Sequence, residues 1–238
     1  MRGIIKFLVF STLLVALLVF IGVPLLAGPL LAGMARDAGL EGDGVEVSVN
    51  LLGPGLFSGR ASEVRVRAED VTVPRAVIGR LDLTLHGVSP ADRTFESVTG
   101  HLEDVRVSGP GGSSVTIRSV DLDGPAETTR ARGELSAEDS EVLVAQVARD
   151  AGLTVDHVRL EAGGLLLIRG EQETQARFRV AGAALILETD DRQEVVVAPV
   201  PSEPWRLETV SVTQDGLAIE LTVDARRLAD IVRLAGEG

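Results

Sequence analysis

Three histidines, His86, His101 and His157, are the side chains of this sequence best suited to moving protons near neutral pH, where imidazole titrates. Each stands alone in the chain. No GxSxG turn offers a nucleophile to activate, and no HExxH pairs two histidines on one helix face for zinc. His86, in LTLHGV, reads as a surface residue near a strand end. Carboxylates number 35, so adjacent pairs such as Glu69 with Asp70 and Asp190 with Asp191 read as solvated faces or turns. DLDGPAETTRAR begins like a calcium loop, yet Ala126 stands at its sixth position, where the loop needs Gly, and Arg132 at its twelfth, where it needs a bidentate Glu. SGPGGSS, residues 108–114, lacks the Lys of a phosphate-binding loop and reads as a hairpin turn. The chain has no Cys, which removes disulfides, thiolate nucleophiles, Cys-ligated zinc and a lipid-modified Cys. We therefore assign no catalytic residue, metal ligand or cofactor, and Arg60, Arg80 and Arg169 read as surface cations unless one meets a phosphate at a groove mouth.

What the sequence offers instead is aliphatic surface. Of 238 residues 45% are hydrophobic and only seven are aromatic, so the core must be built from Val, Leu, Ile and Ala. Formal net charge is -12, and Arg2 and Lys6 are the only charges among the first 35 residues, which leaves -14 for the rest. So acidic a domain repels nucleic-acid phosphates. From Phe7 to Ala35 no residue is charged, enough for a helix longer than the roughly 30 Å hydrocarbon core. This apolar stretch exceeds a signal-peptide core, and basic residues precede it while Asp37, Glu41 and Asp43 follow it. The expectation is an uncleaved anchor over 1–28 with its amino terminus in the cytoplasm. A juxtamembrane helix and linker over 29–43, and an extracytoplasmic domain over 44–238, then follow. LLGPGLFSGR, residues 51–60, sets Leu51, Leu52, Leu56 and Phe57 on a Gly/Pro bend where an ordinary strand connection would be polar.

Period-two alternation dominates after Gly44, as in Val45, Val47 and Val49 or Leu81, Leu83 and Leu85. Apolar parity changes from even at Val64 and Val66 to odd at Val71 and Val73 across AED, which requires a bulge or tight turn. A phrase centred on Val64, Val105, Val120, Val158 and Val210 recurs without fixed period, the mark of many similar antiparallel strands joined by Gly turns. SAEDSEVLVAQVARDAG predicts a helix with Ser136 as N-cap, Asp139 three residues on, a Val144, Val147, Ala148, Ala151 stripe and Gly152 as its stop. DARRLADIVRLAG repeats that logic with Asp224 as cap. Strand follows strand without intervening helices, so the class is α+β with a mostly antiparallel sheet rather than parallel βαβ. Unbroken rows at Leu165 to Ile168, Leu185 to Leu187 and Val195 to Val197 imply strands covered on both faces.

In their order LLGPGLFSGR, ASEVRVRAEDVTV, GRLDLTLHGV, GELSAEDSEVLVAQVA, GLTVDHVRL, GLLLIRG and VSVTQDGLAIEL resemble the LmeA-like phospholipid-binding family of bacterial cell-envelope proteins, over roughly residues 30–224. The resemblance implies a fold similar to the tubular lipid-binding proteins: a long curved, mostly antiparallel sheet wrapped around a helix, with acyl chains in an apolar groove. A retained anchor departs from the cleaved export signal associated with the family, and favours lipid handling close to the membrane. Under the resemblance the candidate lipid-contacting side chains are Leu51, Leu52, Leu56, Phe57, Leu83, Leu85, Leu166, Ile168, Phe178, Leu185 and Leu187. The expected partners are phospholipid or a related lipid and the membrane itself. Two rivals stand beside it: a structural or partner-binding envelope domain without a lipid cavity, and an enzyme of lipid or glycan metabolism, which the scarcity of His and lack of catalytic motifs disfavour.

Overall fold

Each alternating stretch becomes a strand. The computed structural model describes residues 41–50, 61–73, 76–89, 94–108, 114–181, 184–190, 193–199, 204–224 and 227. The chain first lays down β1 (Glu41–Asn50), β2 (Ala61–Val73), β3 (Ala76–Val88), β4 (Ser97–Ser108), β5 (Ser114–Pro125) and β6 (Thr129–Ser136) as a meander. Helix α1 (Ala137–Asp150) follows, and then a second meander, β7 (His157–Glu161), β8 (Gly164–Arg169), β9 (Gln172–Ala181), β10 (Ala184–Thr189) and β11 (Glu194–Pro199). The hairpin of β12 (Trp205–Thr213) and β13 (Gly216–Val223) returns to the first meander, β13 pairing with β6. Every strand pair among the described residues is antiparallel, in a sheet of order β1-β2-β3-β4-β5-β6-β13-β12 and another of order β11-β10-β9-β8-β7. The α+β, sheet-dominated class expected from the sequence holds. The strands divide between two sheets rather than forming one long one.

The parity change read in AED recurs in four neighbouring strands. Buried positions run Val64, Val66, Ala68 and then Val71 in β2; Ile78 and then Leu81, Leu83, Leu85 in β3; Val98, Leu102 and then Val105, Val107 in β4; and Val115, Ile117 and then Val120, Leu122 in β5. The changes align laterally, because Glu69, Arg80, Glu103 and Ser119 pair in one row and Val71, Ile78, Val105 and Ile117 in the next. Each strand therefore turns two successive residues away from the core at the same level. Since all four shift together, β2 to β5 keep one register through the change, with no bulge between them. Asp70 and Asp104 take left-handed φ values of 49° and 52° at this line. Gly79 lies between them, where a Cβ would stand 3.1 Å from the Cβ of Asp104.

Helix α1 begins and ends as its sequence dictates. Ser136 Oγ accepts the Asp139 N–H at 3.2 Å. Gly152, at φ 93°, lets its own N–H reach Arg149 O and the Leu153 N–H reach Ala148 O, the paired bonds of a Schellman stop. The helix buries Ser140, Val144, Val147 and Ala148 and packs on β6, β13 and β7, so it joins the two sheets. Two polar side chains fasten it. Ser140 Oγ accepts the Leu217 N–H of β13 at 3.1 Å, and Glu141 Oε1 accepts the Leu160 N–H of β7, an edge strand, at 3.1 Å. The second predicted helix is described only at its start, where Asp224 Oδ1 accepts the Arg227 N–H at 3.0 Å.

Double-sided burial holds for β8, where Leu165 to Ile168 are all buried, and for Leu185 to Leu187 of β10. It does not hold for β11. In that edge strand Val196 is 59% exposed. β4 and β5 pair antiparallel as far as Ser108 and Ser114, and the rest of SGPGGSS lies outside the described residues; in DLDGPAETTRAR the Thr129 hydroxyl donates to Pro125 O across the β5–β6 turn. The anchor expected over 1–28 and residues 29–40 of the helix and linker expected over 29–43 lie outside the described residues, whereas 41–43 already belong to β1; among the described residues no helix is long and apolar enough to cross a membrane.

Candidate functional site

Lateral pairing turns the alternation of single strands into two continuous faces on the eight-stranded sheet. On one face Val66, Leu83, Gly100, Leu122, Ala131, Leu221 and Leu207 form a row from β2 to β12. Beside it runs Ala68, Leu81, Leu102, Val120, Gly133, Ile219 and Val210. Leu83 needs the bare backbone of Gly100, since a Cβ there would stand 2.1 Å from Leu83 Cδ2. Both faces of the sheet follow from period two, but only pairing makes the apolar one continuous.

The candidate lipid-contacting residues do not converge on one surface. Leu83 and Leu85 lie on the apolar face of the large sheet and are fully buried. Leu185 and Leu187 share the core face of the smaller sheet with half-buried Phe178, which pairs with Leu187. Leu166 and Ile168 occupy the opposite face of β8, being the even partners of core residues Leu165 and Leu167. One groove cannot take in both sets. Leu51, Leu52, Leu56 and Phe57 lie outside the described residues, as does Arg60.

A cleft of about 440 Å³ opens at the end of the smaller sheet, lined by Glu161, Gly164, Gln175, Arg177, Glu188 and Asp190 among others, and holding none of the candidate lipid-contacting residues. Arg177 spends its guanidinium on Glu188 at 3.1 Å, and Arg179 lies 3.7 Å from the same carboxylate and 2.8 Å from Glu194. With acids outnumbering its one arginine, the cleft is poorly suited to a lipid phosphate.

The other face of the large sheet is charged. Asp82 accepts from Arg65 Nε and Nη2, at 2.9 and 2.7 Å, and from Arg67 Nε at 3.2 Å, and the Arg65 hydrogen bonds hold its carboxyl below the usual range. Glu208 is held down by Arg206 at 2.7 Å and by the Thr222 hydroxyl at 2.9 Å. His101 lies between two acids, Nδ1 at 2.6 Å from Asp121 and Nε2 at 3.2 Å from Glu103, and the Asp121 contact raises its pKa. Both ring nitrogens of His101 thus face carboxylates of the charged face. Arg80, considered as a phosphate partner, faces Glu103 at 3.9 Å. This cluster is invisible to sequence motifs because its members come from separate strands, His101 and Asp121 standing 20 residues apart. The available signal is only that Asp82, His101 and Asp121 each occupy the outward parity of a strand.

Fold and faces together define a sheet-dominated α+β domain with one apolar and one charged face on its larger sheet. No protein-family model, curated protein or solved structure matches the chain.

Proposed function

We propose that this chain is a membrane-anchored, extracytoplasmic, non-catalytic domain that holds phospholipid or a related lipid against the apolar face of its larger sheet, in a fold similar to the tubular lipid-binding proteins. Its role would be maintenance of envelope lipid or glycolipid. The observation that carries this reading is the extent of the apolar face. It continues across β5, β4, β3 and β2, whereas α1 packs at the other end, on β6, β13 and β7. Each acyl CH₂ buried on such a face contributes about 0.8 kcal/mol, so two chains bind without an elaborate polar site. The anchor expected over 1–28 would keep that face beside its lipid supply. A structural or partner-binding domain is the second reading, favoured by the full burial of Val64, Leu85, Val98 and Val105, since lipid entry then requires the face to open.

A phospholipid with a photoreactive group at one acyl terminus separates the two. The full chain is irradiated in membranes containing it, and labelled peptides are mapped by mass spectrometry. Labels on the apolar positions of β2 to β5, Leu83 and Leu102 among them, are the expected outcome. Labels confined to residues 7–35 would place lipid at the anchor alone and overturn the proposal.

A further inference from the structure

Pairing aligns Glu46, Arg67, Asp82, His101, Asp121, Arg132 and Glu220 in one row across β1 to β6 and β13. The signs alternate along the whole row, and His101 stands where the alternation calls for a cation. From this geometry we infer that His101 is a pH-operated clasp, whose protonated ring ties β4 to β5 and whose neutral ring releases them. This holds whether or not the face behind it binds lipid.

The groups around the ring fix the sign. From β5 come Asp121, at 2.6 Å, and Asp123 two residues on; from β4 itself comes Glu103, at 3.2 Å. From β3 come Asp82, laterally paired with His101, and Arg80, which reaches Glu103 at 3.9 Å. Arg65 and Arg67 of β2 are spent on Asp82, and Arg132 of β6 pairs laterally with Asp121 but has its guanidinium 3.4 Å from Glu134. A neutral ring therefore leaves Asp121 and Glu103 without their shared cation. The His101 pKa is raised from its ordinary value of about 6.5. The clasp is thus fully closed below that ordinary value and is lost as pH rises through the folded one. The neighbours Gly100 and Leu102 face the core on the opposite side of β4, the latter fully buried, so loosening here acts directly behind the apolar face.

Amide hydrogen exchange of the full chain in lipid nanodiscs, corrected for the intrinsic pH dependence of chemical exchange, tests this between about pH 5 and 8. Amides of β4 and β5 in the wild type are expected to exchange about 1.5- to 5-fold faster at the upper end, the factor an exposed ion pair supplies. His101→Gln is expected to show the fast rate throughout and His101→Arg the slow rate throughout, with His101→Lys as the second fixed cation should the arginine variant not fold. A wild type without the rise, or the same rise in His101→Gln or in a fixed-cation variant, would overturn the clasp, because the pH response would then belong to other groups.

Discussion

Gly216 illustrates how one missing side chain lets two strands meet. A Cβ there would lie 1.8 Å from the carbonyl oxygen of Leu135, and its φ of 148° is one that other residues rarely adopt. Gly216→Ala should therefore destabilise the domain by about 1–3 kcal/mol or more in denaturant titration, because both the backbone conformation and the β6–β13 contact resist the methyl group. Asp82 contributes to the acid side of stability. Its pKa is lowered by Arg65, so its contribution is present above the unfolded value of about 3.9 and is lost as pH falls through the folded one. Solvent screens a carboxylate this exposed, and the effect should stay below about 1 kcal/mol. Asp82→Asn should accordingly flatten the loss of thermal midpoint on acidification, and an unchanged slope would assign acid lability elsewhere.

Helix α1 is the element whose boundaries the sequence predicts best, since a capping Ser, a three-residue reach to Asp139 and a terminal Gly act within one or two turns. Its docking was not legible. Ser140 looks like an ordinary polar helix residue, yet it is fully buried and accepts the Leu217 N–H from a strand 77 positions away. Ser140→Ala should leave that N–H without its acceptor and lower stability by about 1–3 kcal/mol. Ser136→Ala, which removes only a cap, should lower it by about 1 kcal/mol. Equal effects in urea unfolding would show that the link to β13 adds nothing beyond local helix chemistry. In the recurrent strand phrase, Val64, Val105, Val120 and Val158 are all buried at its centre, whereas Val210, in β12 at the sheet edge, is only half-buried. The phrase reported which way each strand faces; it held nothing about which strand lies beside it.

At the scale of the molecule, a net charge of -12 means that repulsion among surface acids opposes compaction. Raising ionic strength from about 0.01 to 0.15 M shortens the Debye length from roughly 30 to 8 Å, which should raise the thermal midpoint of the full chain. A fall instead would mean that the ion pairs of the charged face outweigh the net repulsion. Local periodicity by itself determined the strands and which way they face, the helix ends, the double-sided burial of β8 and the parity change at AED, because each depends on residues within a few positions of one another. Only the tertiary structure decided that four such changes line up at one level, that β13 returns to β6, that Leu166 and Leu187 point to opposite sides of a sheet, and that His101 meets Asp121 and Glu103. Those outcomes rest on lateral pairing, which hydrogen-bonds backbones without regard to side-chain identity and is selected by the fit of whole faces rather than by any short run of residues.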